Sequence, residues 1–326
     1  MAFKPYPITV GPILKEKVWG GRNLSAYTGL KGGKIGEAWM LADQNENMSV
    51  ISNGVYRGMT INALINKFPA GVMGKKLAAK YGKKFPLLFK YLDTSDRISI
   101  QVHPDDAYAK KRGYPAGKTE MWYVLSNKFR SSLLVGFKTR QDKKSLSRMV
   151  ANGTMVSNLK KYRPEKGDCF FIPAGTIHTI GKGNVIFEVQ QNSDVTYRIY
   201  DWGRHNLAED RHLNIKDAIA SVNFNSNGGK IEAGQKKHSG GFSVRQLAHC
   251  GYFFCDEVSV GKDTKYWYNN NLPLVLAVVE GEMSITLTDG SESKYKKGAI
   301  VFIPYGLKEM LFKIKGKTRV IVTQAR

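Results

Sequence analysis

A chain of 326 residues with 42% hydrophobic side chains can bury one large core or two modest ones. No stretch is apolar for long enough to cross a membrane as a helix, and residues 1–7 lack the apolar run of a secretory leader, so no membrane partner is expected. The net charge of +23 raises the question of nucleic acid, but lysine pairs such as Lys75-Lys76, Lys143-Lys144 and Lys160-Lys161 are scattered and no nucleic-acid-binding motif accompanies them. A basic surface with a local positive pocket for an anionic substrate is expected instead. Cys169, Cys250 and Cys255 fit no metal or disulfide framework, which points to the cytoplasm.

In chain order, a first strand is expected over 5–14 and a turn at Trp19-Gly20-Gly21-Arg22. Strands follow over 35–41 and 49–51, and Asn53-Gly54 is a hairpin signal. Thr60 is placed to cap a helix over 61–67, and 74–81 reads as a short helix or loop. Residues 85–92 form a buried-looking strand whose one charge, Lys90, either faces the surface, as spacing alone favours, or aims into the pocket. Asp105 or Asp106 can cap a short helix, a strand follows over 133–137, and 140–162 holds one or two inserted helices broken near Asn152-Gly153. Strands resume at Cys169 and over 184–191; 196–201 is expected to pair back on the latter. A polar, Gly-rich connection, 203–241, carries a helix over 215–222.

Three segments carry the chemistry. In Ser99-Ile100-Gln101-Val102-His103-Pro104, alternation puts Ser99, Gln101 and His103 on one face, as suits a polar pocket rather than a core. Lys118, Glu120 and Trp122 share a face in the same way. Gly167 to His178 follows a Gly-x5-Pro-x-Gly-x2-His frame, whose Pro-Ala-Gly corner delivers His178 at the head of a strand. If these strands converge, Gln101, His103, Glu120 and His178 make an N/N/O/O donor set suited to Zn²⁺ or a similar divalent ion. Taken singly, each has a plainer reading as a turn, core or surface residue.

The frame recurs from Gly298 to Glu309, with Glu309 where His178 stands and no Gln-x-His upstream. The chain therefore reads as two β-barrels of one kind, the second lacking metal ligands. The expected division is 1–235, including the helical insertion, and 236–326.

The Gly-to-His frame is similar to the second motif of the cupin barrels, and Gln101-x-His103 with Glu120 to the first. Ser-Ile-Gln-Val-His-Pro-Asp (99–105), Gly-Lys-Thr-Glu-Met-Trp-Tyr (117–123), Pro-Ala-Gly-Thr-Ile-His (173–178) and Tyr-Arg-Ile-Tyr-Asp-Trp-Gly-Arg (197–204) together resemble the type I mannose-6-phosphate isomerases in their short bacterial form. The resemblance implies a mainly β, two-cupin enzyme that interconverts mannose 6-phosphate and fructose 6-phosphate with one Zn²⁺ per chain. It implies Gln101, His103, Glu120 and His178 as ligands, Arg198 as the catalytic arginine, and Ser99, Lys90 and Lys118 at the phosphate or sugar. Helical-domain lid roles of the long members do not carry over, because only the short insertion is present. The chain would act as a monomer or homodimer.

Such an isomerisation needs a base, a stabiliser of enediolate charge and a phosphate clamp. The base stays open among Glu188, Asp194, Lys118 and a metal-bound water; Glu37 and Trp39 read as structural. A non-haem iron oxygenase on the same barrel and a silent sugar-phosphate-binding protein are the competing readings. The lysines, Gln101 and the 197–204 segment argue against the first, and retention of all four donors and Arg198 against the second.

Overall fold

The structure is a computed structural model that describes residues 2–30, 32–204, 211–226, 228–231, 237–239, 241–269 and 272–326. It is mainly β. A seven-stranded antiparallel sheet contains Ile13–Gly21, Ile35–Leu41, Leu87–Thr94, Asn184–Gln191, Glu120–Asn127, Cys169–Ile172 and Gly229–Ile231 in that spatial order. It faces a five-stranded sheet ordered Tyr197–Tyr200, Ile100–Val102, His178–Ile180, Leu133–Phe137 and Leu159–Tyr162. Between them lie Trp122, Val124, Val135, Phe170, Ile172 and Ile186, the interior of the first barrel.

An eight-stranded sheet forms the second unit, through which Leu274–Leu287 and Glu309–Ala325 run side by side. Its interior is filled by Leu274, Leu276, Val278, Met283, Ile285, Val301, Ile303 and Met310. Gly167 and Gly298, the first glycines of the two repeated frames, have φ of +93° and +95°, the left-handed region that glycine occupies without a Cβ clash. The frames differ at their ends: His178 is fully buried, whereas Glu309 opens its strand exposed to solvent.

A third apolar layer joins the units. Phe85, Phe89, Tyr91, Phe187 and Val189 on the back of the seven-stranded sheet pack with Phe253, Val275, Ala277, Phe302 and Ile321 of the second unit. Phe85 meets Phe302 edge to face, with ring centroids 5.3 Å apart. The seven-stranded sheet is thus buried on both faces, and alternation sorts its side chains between two interiors rather than between core and water. The boundary expected at 235/236 lies outside the described residues.

Several local expectations hold. Thr60 Oγ1 accepts from Ala63 N at the head of Ile61–Lys67, and Asp105 caps Asp106–Lys111. The insertion forms Lys143–Ala151 and Met155–Asn158, which pack with Ile215–Ser221 on the outer face of the five-stranded sheet. It ends before 162, because Leu159–Tyr162 is a strand of that sheet.

Four expectations are corrected. The first strand is Ile13–Gly21, with only isolated bridges at Ile8 and Val10. Trp19-Gly20-Gly21 is therefore the end of a strand, not a turn. A Cβ on Gly20 would stand 2.5 Å from Lys34 O, and one on Gly21 would run into the Asp93 carboxylate, so these glycines serve close approach. Asn53-Gly54 opens a 3-10 turn, Gly54–Tyr56, because the Asn53 side chain is occupied by Thr9 N and Pro7 O rather than by a hairpin. Residues 197–200 cross to the five-stranded sheet and pair with Ile100–Val102, not with 184–191.

Asp93, buried beneath Gly21, accepts from Asn23 N (2.7 Å) and Asn23 Nδ2 (3.0 Å). Gly21→Ala should evict this carboxylate, strand both donors and cost about 2 kcal/mol. Equilibrium denaturant unfolding against the parent checks this.

Candidate metal centre and adjoining cavity

Cross-strand register builds one wall of the site. On the five-stranded sheet, His178 and Arg198 are both aligned with Gln101 from its two neighbouring strands, so the three side chains share a face. His103 follows one residue beyond Ile100–Val102, at the Pro104 corner. The opposite wall comes from the seven-stranded sheet, where Lys90, Glu188 and Trp122 form one row and Gln190 and Glu120 the next.

Both imidazoles are aimed by the backbone. His103 Nδ1 donates to Val195 O at 2.8 Å, and His178 Nδ1 donates to Thr176 O at 2.9 Å. A carbonyl oxygen can only accept, so the proton sits on Nδ1 in each ring and the Nε2 lone pair is directed inward. Each Nε2 lies 3.5 Å from a Glu120 oxygen, His103 from Oε2 and His178 from Oε1. Burial, with Lys118 nearby, holds His103 well below the usual imidazole range. Burial likewise brings His178 down to about 4, so both rings are neutral and available as donors.

Glu120 is 1% exposed, and neither of its oxygens accepts a hydrogen bond; Lys118 Nζ stands 3.2 Å from Oε2 as an ion pair. Two buried carboxylate oxygens without a donor, facing two neutral imidazole lone pairs, fit a divalent cation. Among the described residues, His103, Glu120 and His178 are the group that could hold one, their ligand atoms all lying within 4.8 Å of one another. Gln101 joins them with its amide: Nε2 is 3.2 Å from His178 Nε2, and Oε1 accepts from Ser99 Oγ at 3.0 Å.

A cavity of about 150 Å³ opens beside this cluster, and Ser99, Gln101, Lys118, Glu188 and Arg198 all line it. Lys90 also points into it and is buried, the pocket-facing alternative rather than the surface placement that spacing favours. The alternation in 85–92 holds, but the outer face of that strand is the second barrel, and the charge goes to the polar interior. Lys90 Nζ lies 3.2 Å from Asp194, 3.3 Å from Glu37 and 3.9 Å from Glu188. Burial disfavours its ammonium, yet these three carboxylates hold it above its ordinary value.

Glu188 behaves oppositely. Burial and the Glu120 carboxylate push it up to about 7, and Trp122 Nε1 donates to it at 2.9 Å. Glu37, read as structural from sequence, also lines the cavity. Burial opposes its charge, but Lys90, Lys17 and a 2.7 Å bond from Trp39 Nε1 bring it down to about 2. Its signal in the sequence is the same as that of Lys90, one charge inside an apolar strand. Arg211, which no motif marks, lines the cavity while its Nε donates to the buried Asp201 at 2.7 Å.

Comparison with known proteins agrees with this geometry. Residues 9–133 match the family described as phosphomannose isomerase type I, catalytic domain. The chain is 32% identical to the mannose-6-phosphate isomerase ManA of Bacillus subtilis over 97% of its own length and 98% of that protein. It is 37% identical to a mannose-6-phosphate isomerase of Streptococcus mutans over 65% and 66% of the two chains. The crystal structure of a mannose 6-phosphate isomerase from Bacillus subtilis superposes with a TM-score of 0.86 at 29% identity, covering 98% of this chain and 99% of that one. With identity and fold both matched over nearly its whole length, this chain belongs to the type I mannose-6-phosphate isomerase family.

Proposed function

We propose that the first barrel interconverts mannose 6-phosphate and fructose 6-phosphate, with one Zn²⁺ per chain held by His103, His178, Glu120 and Gln101. The observation that carries this reading is the pair of inward Nε2 lone pairs facing a buried, donor-less Glu120 at the edge of a charged cavity. Two imidazole nitrogens with oxygen donors suit the borderline character of zinc. Gln101 is a ligand through Oε1, which requires its amide to present oxygen; Ser99 Oγ can donate to Oε1 or accept from Nε2 and so serves either orientation. A bound divalent ion supplies Lewis acidity toward sugar oxygens.

The chain's own groups do the rest. Arg198, aligned with Gln101 across the sheet, brings a permanently charged guanidinium to the negative charge of an enediolate. Glu188, poised near neutrality, suits a group that takes a proton from one sugar carbon and returns it to its neighbour. Lys118 and Ser99 meet the substrate's oxygens and phosphate. Lys90 already faces three carboxylates, so its share is to hold Glu37, Glu188 and Asp194 in place beside the sugar. The second barrel, its interior filled with apolar side chains, supports the catalytic unit of 1–235. A phosphohexose substrate and three free thiols support a cytoplasmic setting.

A coupled assay for fructose 6-phosphate formation from mannose 6-phosphate, with and without a chelator, tests the proposal. Turnover that is absent, or that survives complete metal removal, overturns it. Glu120→Ala or His178→Ala should remove bound metal and activity together. Arg198→Ala should keep the metal and lower kcat by roughly 10²–10³-fold; metal content by elemental analysis separates the two classes.

The imidazoles also set a pH dependence. His178 titrates near its ordinary 6.5 when unfolded but at about 4 when folded. Between those values the unfolded chain binds the proton that the native chain refuses, so stability is full above 6.5 and falls as pH drops toward 4. Melting temperatures of the metal-free protein measured across this range should decline with acidification, and His178→Asn should flatten the decline.

A further inference from the structure

We propose that Asp106 is a positioning residue for Lys118, and that Tyr252 of the second barrel holds Asp106 in that role. The inference rests on the reading of Lys118 as a substrate-contacting group.

Lys118 does not lie on a strand. It sits in the extended segment leading into Glu120–Asn127, with a side chain that is nonetheless 5% exposed. Its direction is therefore set by the backbone bonds of that segment. Three successive amides are held: Gly117 N donates to Asp106 Oδ1 at 2.8 Å, Lys118 N to Pro104 O at 3.0 Å, and Thr119 N to Gln191 Oε1 at 2.9 Å. A Cβ on Gly117 would stand 2.6 Å from Asp105 C and 2.7 Å from Asp106 N, so the segment presses directly on the corner that carries His103.

Asp106 organises two of the three holds. Its Oδ1 accepts from Gly117 N and also from Gln191 Nε2 at 2.9 Å, and Gln191 in turn receives Thr119 N. Its Oδ2 accepts from Tyr252 Oη at 2.9 Å. Tyr252 stands between the strands Phe242–His249 and Phe253–Val260, so this hydroxyl reaches from the second barrel to the approach of the first barrel's site. Asp106 is not among the residues that line the cavity; it acts through the chain on either side of Lys118. Without it, Gly117 N and the Gln191 amide lose their shared acceptor, and Lys118 Nζ loses its fixed place beside Glu120.

The test uses the full-length, metal-loaded protein. Asp106→Ala should lower kcat by about tenfold and Tyr252→Phe by about threefold, with KM and metal content within about twofold of the parent. Asp106→Asn should recover most of the loss, because its Oδ1 still accepts from Gly117 N. Lys118→Met should cost about a hundredfold or more, and in that background Asp106→Ala should add nothing. Full activity of Asp106→Ala beside an impaired Lys118→Met overturns the positioning role and leaves the site reading standing. Full activity of Lys118→Met overturns the site reading itself. A loss from Asp106→Ala that persists unchanged in the Lys118→Met background, or that tracks metal content, also overturns the proposal. If Asp106→Ala does not fold, Tyr252→Phe and Asp106→Asn carry the comparison.

Discussion

Two hydrogen bonds from imidazole to backbone carbonyl decide what the centre of this molecule can be. Val195 O and Thr176 O each take an Nδ1 proton, and so each ring turns an Nε2 lone pair toward Glu120. Had either ring found an acceptor at Nε2, the same residues would form an ordinary buried polar cluster. The carboxylate between them accepts no hydrogen bond and pairs with Lys118 on one oxygen alone, and burial keeps the rings uncharged, so two imidazole lone pairs and a carboxylate converge where a divalent cation fits.

The second constraint is a sheet covered on both faces. Strand alternation in the seven-stranded sheet sends Phe89, Tyr91, Phe187 and Val189 to the interface with the second barrel, and Lys90 and Glu188 to the cavity. Lys90, Glu188 and Glu37 on that wall then share one desolvated space, and the two carboxylates' affinities for protons diverge: Glu37 falls to about 2 while Glu188 climbs to about 7. Two carboxylates about the same ammonium thus become suited to different tasks, one as a fixed charge and one as a proton carrier.

How much of this can be read from the residues follows from what local pattern contains. Ser99, Gln101 and His103 are legible because a polar row on an alternating strand rarely belongs to a core, and His178 because a Gly/Pro corner presents the next residue at a strand head. The outward placement of Lys90 fails because alternation separates two faces without saying what covers each. Glu37 reads as structural for the same reason. Trp19-Gly20-Gly21 misleads because glycine serves both reversal and close approach, and only the position of Asp93 and Lys34 tells them apart. The partner of 197–200 is not legible at all, since pairing depends on which strands the whole sheet leaves open, yet that pairing is what sets Arg198 beside Gln101.

The apolar layer shared by the two barrels bears on whether either could be taken from the other. The rear of the seven-stranded sheet is apolar in its own right, with Phe89, Tyr91 and Phe187 buried in a cluster to which the second unit contributes Phe253, Val275, Ala277, Phe302 and Ile321. The second unit is thus a wall of the first, and separating the two would bring this apolar layer into water.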